Sequence, residues 1–525
     1  MSKYDQIRQR SLRKIWKAVI KTVTKQFIFN LVMGAVVLAL SFYIYHLAGN
    51  YWMPRQRPTG DEPHYLIIAE SLIKDHDLDL KNNYAQKDYQ AWGYAGITLD
   101  AHVSVNSQNG HQYSVHNIGW PLIFVFPFSR WGVAGARAVS EIIGALLALN
   151  IFLFIKKITG QTKIAWIVFA ATAFSIPFIT YSVQLFSEIS AALLICYAVR
   201  VLWERLPNFL SQFLSIAAIS YLPWIHVKYL WISLFLFLVW LYLNLFRKRA
   251  SEDAPNEVPQ STLTRTQFES RLAKATKSEG RPRGSKKQRP VLSFNVSPIL
   301  FLSLLYLFSG ALMAYFFKVW YGSYLPNAQY PAGMALVQPN QLGTGTLGLL
   351  LDSHFGLFPY APIYIFGLAG LIAAFIRDRF LGILLTISFL AVFLQHAGST
   401  FLIGWAPTGR FIVTISPMLT VSLGVLYPLM KTWNKVIFFF AAGWGIMSGY
   451  FLIIHPGLNY STSEPKYLEA ISSKLIDFTH FFPKIIDLDR APATVINDWP
   501  LVLIWLGAIA LLTTATLVFR TKNKI

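Results

Sequence analysis

The 525-residue chain has one cysteine, Cys196, which excludes an internal disulfide in any compartment. Charged residues are scarce at 14%, where an ordinary soluble domain carries about a quarter, so a water-soluble globule is excluded as well. Acidic residues are the rarest class of charge, 25 against 46 Lys and Arg. The resulting net charge of +21 does not point to nucleic acid, because the basic residues sit beside apolar segments rather than on one face. No small-residue cleavage site follows the first apolar segment, so a retained anchor is expected there. No internal repeat of the kind that marks many transporters is found.

What the chain has in abundance is apolar sequence: 54% hydrophobic residues, 15% aromatic, and a mean hydropathy of +0.44. A bilayer core needs roughly 20 apolar residues per helix. On that basis spans are expected near 27–49, 132–155, 164–182, 185–203, 208–226, 228–246, 293–317, 357–376, 380–396, 411–430, 435–454 and 499–519. The expected fold class is an all-α membrane protein, a polytopic bundle of about twelve transmembrane helices. With the N-terminus in the cytoplasm, Lys156/Lys157, Arg205, Arg247–Arg249, Arg377/Arg379, Lys431/Lys435 and Arg520/Lys522/Lys524 all fall inside, as the positive-inside rule asks. Both termini are then cytoplasmic in a cytoplasmic membrane.

The domain reading follows from these spans. Residues 1–26 form a basic cytoplasmic lead-in; 27–246 form an N-terminal membrane module with an outer loop at 50–130. Residues 247–292 are rich in Ser, Pro, Lys and Arg and are read as a disordered basic cytoplasmic loop. Residues 293–525 form a C-terminal module with outer loops at 318–356 and 455–498. The loop 318–356 reads equally as a lid and as a plain connection.

Three outward-facing stretches carry polar groups beyond what a connection needs. Gly60-Asp61-Glu62-Pro63-His64-Tyr65 places two carboxylates before a Pro that suits a first helical turn. Tyr65, Ile68, Ala69, Leu72 and Ile73 then share one face, so an amphipathic helix along the membrane surface is expected, its acidic tip ionised at neutral pH. A solvated cap without chemistry is the alternative. The stretch Tyr113–Pro121, containing His116 and Asn117, leads into 122–128, which is too short to span and reads as a second surface helix. Trp405–Arg410 sets Arg410 at the mouth of a span, where it needs an anionic partner or snorkels to headgroups. Lys228, beside His226, is a similar outward cation.

Carboxylates near cations at a lipid boundary suit transfer of a sugar from a polyprenyl phosphate. That leaving group needs no acid; one base to take the acceptor proton and positive charge for the departing phosphate suffice. A glycoside hydrolase would instead use a spaced carboxylate pair.

The chain resembles the GT-C class of integral-membrane glycosyltransferases, in particular the group holding protein O-mannosyltransferases and the lipid A aminoarabinose transferase. The likeness rests on Gly60–Tyr65, on His116-Asn-Ile-Gly-Trp-Pro121, on Leu351-Asp-Ser-His-Phe-Gly-Leu-Phe-Pro359 and on Gly404-Trp-Ala-Pro-Thr-Gly-Arg410-Phe. Asn117 and Ile118 depart from it, standing where Pro-Pro is common. The resemblance implies inverting transfer from a polyprenyl-phosphate sugar to a hydroxyl acceptor at the outer membrane face. By it, Asp61 is the catalytic base or metal-facing carboxylate with Glu62 beside it. By location, Arg410, Lys228 and His116 are candidate donor-phosphate contacts. Some relatives use a divalent metal (Mg, Mn or Zn) and others none; Asp61, His64, Asp352 and His354 are the candidate ligands. The sugar and the lipid, glycan or protein acceptor are not encoded in any motif. Two other readings stand beside this one: a multi-span glycan ligase or polymerase, and a transporter or flippase of a lipid-linked substrate.

Overall fold

A computed structural model describes residues 3–246, 296–331, 337–399, 406–458, 466–473, 475–486, 496 and 498–517, with side chains of the first helix from residue 28 onward. The expected disordered loop 247–292 and the Gly404–Trp405 start of the Arg410 motif lie outside the described residues.

Among those residues the chain is helical, and the one departure toward sheet is a single antiparallel bridge between Val103 and Ser114. Among the described residues seven helices are long and apolar enough to cross a membrane: Ile28–Trp52, Gly119–Thr159, Val227–Leu245, Ser297–Tyr321, Arg379–Ala397, Thr432–Ile454 and Trp499–Leu517. Four more apolar helices are shorter, Thr162–Thr172, Phe209–Ile225, Ile363–Arg377 and Ser416–Leu429. The expected span 164–182 is interrupted: its first helix ends at Thr172 and a second turn runs over Phe178–Ser182. The segment expected at 185–203 is the helix Glu188–Trp203. At 1.5 Å per residue such a helix covers less than the roughly 30 Å of a hydrocarbon core.

Two features set the geometry of the loop after the first long apolar helix. The helix Gly119–Thr159 is broken at Gly132, whose φ of 60° lies in the left-handed region that only glycine enters without strain. The stretch 122–128 therefore forms a separate arm ahead of the long buried segment, with Trp120, Phe124 and Phe128 packed inward and Leu122, Phe126 and Trp131 exposed. The arm begins against backbone, because a Cβ on Gly119 would stand 2.4 Å from the carbonyl of Trp224.

The helix Glu62–Lys74 corrects the surface-helix expectation. Every residue from Glu62 to Ala69 is buried. Tyr65, Leu66 and Ala69 join the main core while Ile67 and Ile68 join a second cluster with Leu80, Tyr89 and Tyr94. A continuous apolar run carries hydrophobic side chains on both faces, so the loop residues 80–103 cover what a membrane surface was expected to cover.

The two halves of the chain pack directly on one another. Tyr181 donates to the carbonyl of Pro407 at 2.5 Å, and a Cβ on Gly424 would meet Ile155 at 2.6 Å.

Candidate active site

Asp61 takes the N-cap position of its helix, yet its side chain caps nothing. It is drawn instead into an ion pair with Arg410, which reaches it from the other half of the chain. Arg410 Nε also donates to Glu188 Oε1 at 3.2 Å, and Lys228 Nζ donates to that same oxygen at 2.9 Å. The result is a row of alternating charge, Asp61–Arg410–Glu188–Lys228. Glu188 is fully buried. A carboxylate there would be very costly unless paired, and two cations pair it.

Local sequence explains how each member is held. Gly409, at φ 77°, turns the chain so that Arg410 opens a short helical turn, and the guanidinium lies over the Phe186 ring at 4.6 Å. Lys228 sits in the 3-10 turn Val227–Tyr229, anchored where His226 accepts from its backbone amide. Glu188 starts its helix, where the dipole favours a negative charge. The segment before it is fastened at three points. The Leu185 amide donates to Glu62 Oε1 at 2.8 Å, the Trp120 indole donates to the Leu185 carbonyl at 2.7 Å, and Tyr65 donates to Ser187 at 3.2 Å.

Glu62 therefore has one oxygen committed to a backbone amide. Its other oxygen accepts from the Thr59 amide at 2.8 Å, and it is wholly buried. Burial pushes its carboxyl up, against the opposing effects of Arg137 and the two amides. Asp61 behaves in the opposite way. Burial pushes it up too, but Arg410 and His116 outweigh that and hold it far below the usual carboxylate range.

Beside Asp61 stand three imidazoles. His116 Nδ1 lies 4.0 Å from Asp61 Oδ2, and His116 Nε2 is hydrogen-bonded to His102 Nδ1 at 3.0 Å. His64 stacks on His102 with ring centroids 3.6 Å apart and is hydrogen-bonded to the Tyr84 hydroxyl at 2.8 Å. Burial lowers the pKa of all three, His116 to about 4, so the trio is neutral at pH 7.

The metal expectation changes accordingly. Ligand atoms of Asp61, His102 and His116 all lie within 4.8 Å of one another. A divalent ion with bonds near 2.1 Å holds tetrahedral ligand atoms about 3.4 Å apart, so binding would draw the widest of these gaps in by about 1 Å. His64 supports this set by stacking. Asp352 and His354 lie outside it. Asp352 accepts from the amides of His354 and Phe355 and, with its other oxygen, from those of Ile485 and Ile486. It is a buried staple between two loops, not an open ligand. His102 was not singled out by spacing; the one signal was its place in a polar loop ahead of His116.

The Asn117 departure also has a structural account. Its amide donates to the Pro223 carbonyl at 3.0 Å and its oxygen accepts from Gln329 at 3.1 Å.

No family model matches the chain, and no curated protein does. Solved structures resemble it, two of them oligosaccharyltransferase structures. One is the archaeal oligosaccharyltransferase AglB from Archaeoglobus fulgidus in complex with an inhibitory peptide and a dolichol-phosphate, at a TM-score of 0.40 and 12% identity. The other is the apo form of the Archaeoglobus fulgidus oligosaccharyltransferase, at 0.41 and 13%. Each alignment covers 82% of this chain and 57% of the other, so this chain spans little more than half the length of those proteins.

Proposed function

We propose that the chain is a membrane glycosyltransferase of the GT-C class, moving a sugar from a polyprenyl-phosphate donor to a hydroxyl acceptor with inversion. The observation that carries this reading is the row Asp61–Arg410–Glu188–Lys228, which puts a candidate base and two candidate phosphate contacts in one ion-paired cluster. The acceptor oxygen attacks the anomeric carbon, the carbon–oxygen bond to phosphate breaks, and the acceptor proton passes to Asp61. The departing phosphate keeps its electrons and is met by Arg410 and Lys228.

The ion pair supplies an order of events. While Arg410 holds Asp61, the carboxylate is a weak base. A donor phosphate that takes over the guanidinium releases Asp61 and raises its basicity, so base strength develops when the donor is seated. Asp61, His102 and His116 would hold a divalent transition ion, which when bound supplies further positive charge toward the phosphate. Glu188 is a positioning residue, fixing both cations.

Glycan and lipid profiles of cells carrying the wild type, Asp61→Asn or no protein test the reading. Transfer is expected to fall about 100-fold or more in Asp61→Asn, with the protein still inserted in membranes. Full transfer by Asp61→Asn and Asp61→Ala would remove the assignment.

A further inference from the structure

A second feature lies on the other side of the Glu62 helix start. Between residues 53–58, residues 91–93 and the Gly132 break runs an open cleft of about 700 Å³. Its walls include Arg55, Arg57 and Arg137 and no carboxylate. Arg137 is only 2% exposed, and its Nε and Nη1 atoms, both buried, have no hydrogen-bond partner; Nη2 makes one long contact, 3.4 Å, to the Gln56 carbonyl. The two carboxylates whose charge reaches Arg137 are committed elsewhere, Glu62 to two backbone amides and Glu141 to His46 at 2.8 Å.

An arginine side chain buried with most of its donors unused is costly, and its fork matches a phosphate or carboxylate oxygen pair. Arg55 and Arg57 are exposed and pre-set, Arg55 over the Tyr51 ring at 3.7 Å and Arg57 over Tyr94 at 4.7 Å. The cleft lies at the end of the apolar helix Ile28–Trp52, and its rim exposes Met53, with Trp131 exposed beside the Gly132 break. Apolar and aromatic groups around a basic cleft are what a headgroup boundary requires.

We propose that this cleft is an anion site for a phosphate group, presented from the membrane by a lipid headgroup and separate from the Asp61–Arg410 cluster. Three guanidinium groups line this one cleft, with Arg137 as the buried floor and Arg55 and Arg57 as the mouth. The proposal does not rest on the transferase reading, since binding is read without turnover.

The test uses the full chain in detergent, with thermal unfolding followed against dioctanoyl phosphatidic acid, the matching diacylglycerol and inorganic phosphate. Phosphatidic acid is expected to raise the melting temperature and diacylglycerol to leave it unchanged. In Arg55→Gln/Arg57→Gln, and in Arg137→Gln, the half-effect concentration should rise about tenfold or more, as expected for losing a charge-assisted bond. The exposed pair decides the matter if Arg137→Gln fails to fold. Lys163→Gln/Lys435→Gln, in a different basic cleft, should leave the response intact. Inorganic phosphate acting as strongly as phosphatidic acid would keep the anion site and assign a soluble source. An equal response in wild type and the arginine variants, or from diacylglycerol, would overturn the proposal.

Discussion

The backbone amide of Leu185 donates to Glu62 across 123 residues of chain, at 2.8 Å in a fully buried setting. That bond ties the helix start carrying Asp61 to the segment presenting Phe186 and Glu188. Glu62→Gln turns an amide nitrogen toward one of two backbone donors and leaves it unsatisfied, at about 1–3 kcal/mol. The expected outcome is a lower melting temperature together with reduced kcat, whereas Asp61→Asn loses activity with a smaller change in melting. A Glu62→Gln protein that melts like the wild type would show that the clamp contributes nothing.

Glu188 and Lys228 are predicted to be strongly coupled. Either single change, Glu188→Gln or Lys228→Met, leaves a buried charge short of a partner and should cost roughly 3 kcal/mol or more. The double variant should cost less than the sum of the two by about 1 kcal/mol or more. Additive losses in a double-mutant cycle would contradict the shared contact on Glu188 Oε1.

The histidine cluster predicts an acid sensitivity with a definite sign. His116 titrates near pH 4 when folded and near 6.5 when unfolded, so the unfolded chain binds the extra proton between those values. Its contribution is intact above pH 6.5 and is lost as pH falls toward 4, amounting to roughly 3 kcal/mol from His116 alone. His64 and His102, also lowered, act in the same direction. Melting temperatures at pH 7, 5.5 and 4.5 should fall steadily, and His116→Gln should flatten that fall. A pH-independent melting point would argue against neutral imidazoles.

Metal addition separates the two ligand sets. Zinc or manganese should raise the melting temperature of the wild type, and a chelator should reverse this. His102→Ala or His116→Ala should abolish the shift. Asp352→Asn should lower stability, because two of its four amide bonds are lost with the replaced oxygen, yet leave the metal shift unchanged. A shift that disappears in Asp352→Asn and persists in His102→Ala would restore the ligand set read from the sequence.

The apolar runs and the Pro63 helix start were legible in the sequence because they depend on neighbours a few positions away. Asp61, Arg410 and Lys228 stood out one at a time as charges in unusual places. Their pairing did not, since Arg410 and Glu188 are 222 residues apart and Lys228 and Glu188 are 40 apart. Glu188 lies inside an apolar run, and a carboxylate there is the signal of a buried partner. The Glu62 helix was placed on a surface because five residues fit one face. Leu66 and Ile67, on the other faces, carried the contrary information that both sides are covered.

Adjacent acids with unlike duties cannot trade places. A reversed pair, Glu at 61 and Asp at 62, would conserve every charge in the loop. Aspartate is one methylene too short to span from Thr59 to Leu185, and glutamate would overshoot the guanidinium that meets Asp61. Side-chain length, rather than acidity, is what makes the order Asp-Glu matter.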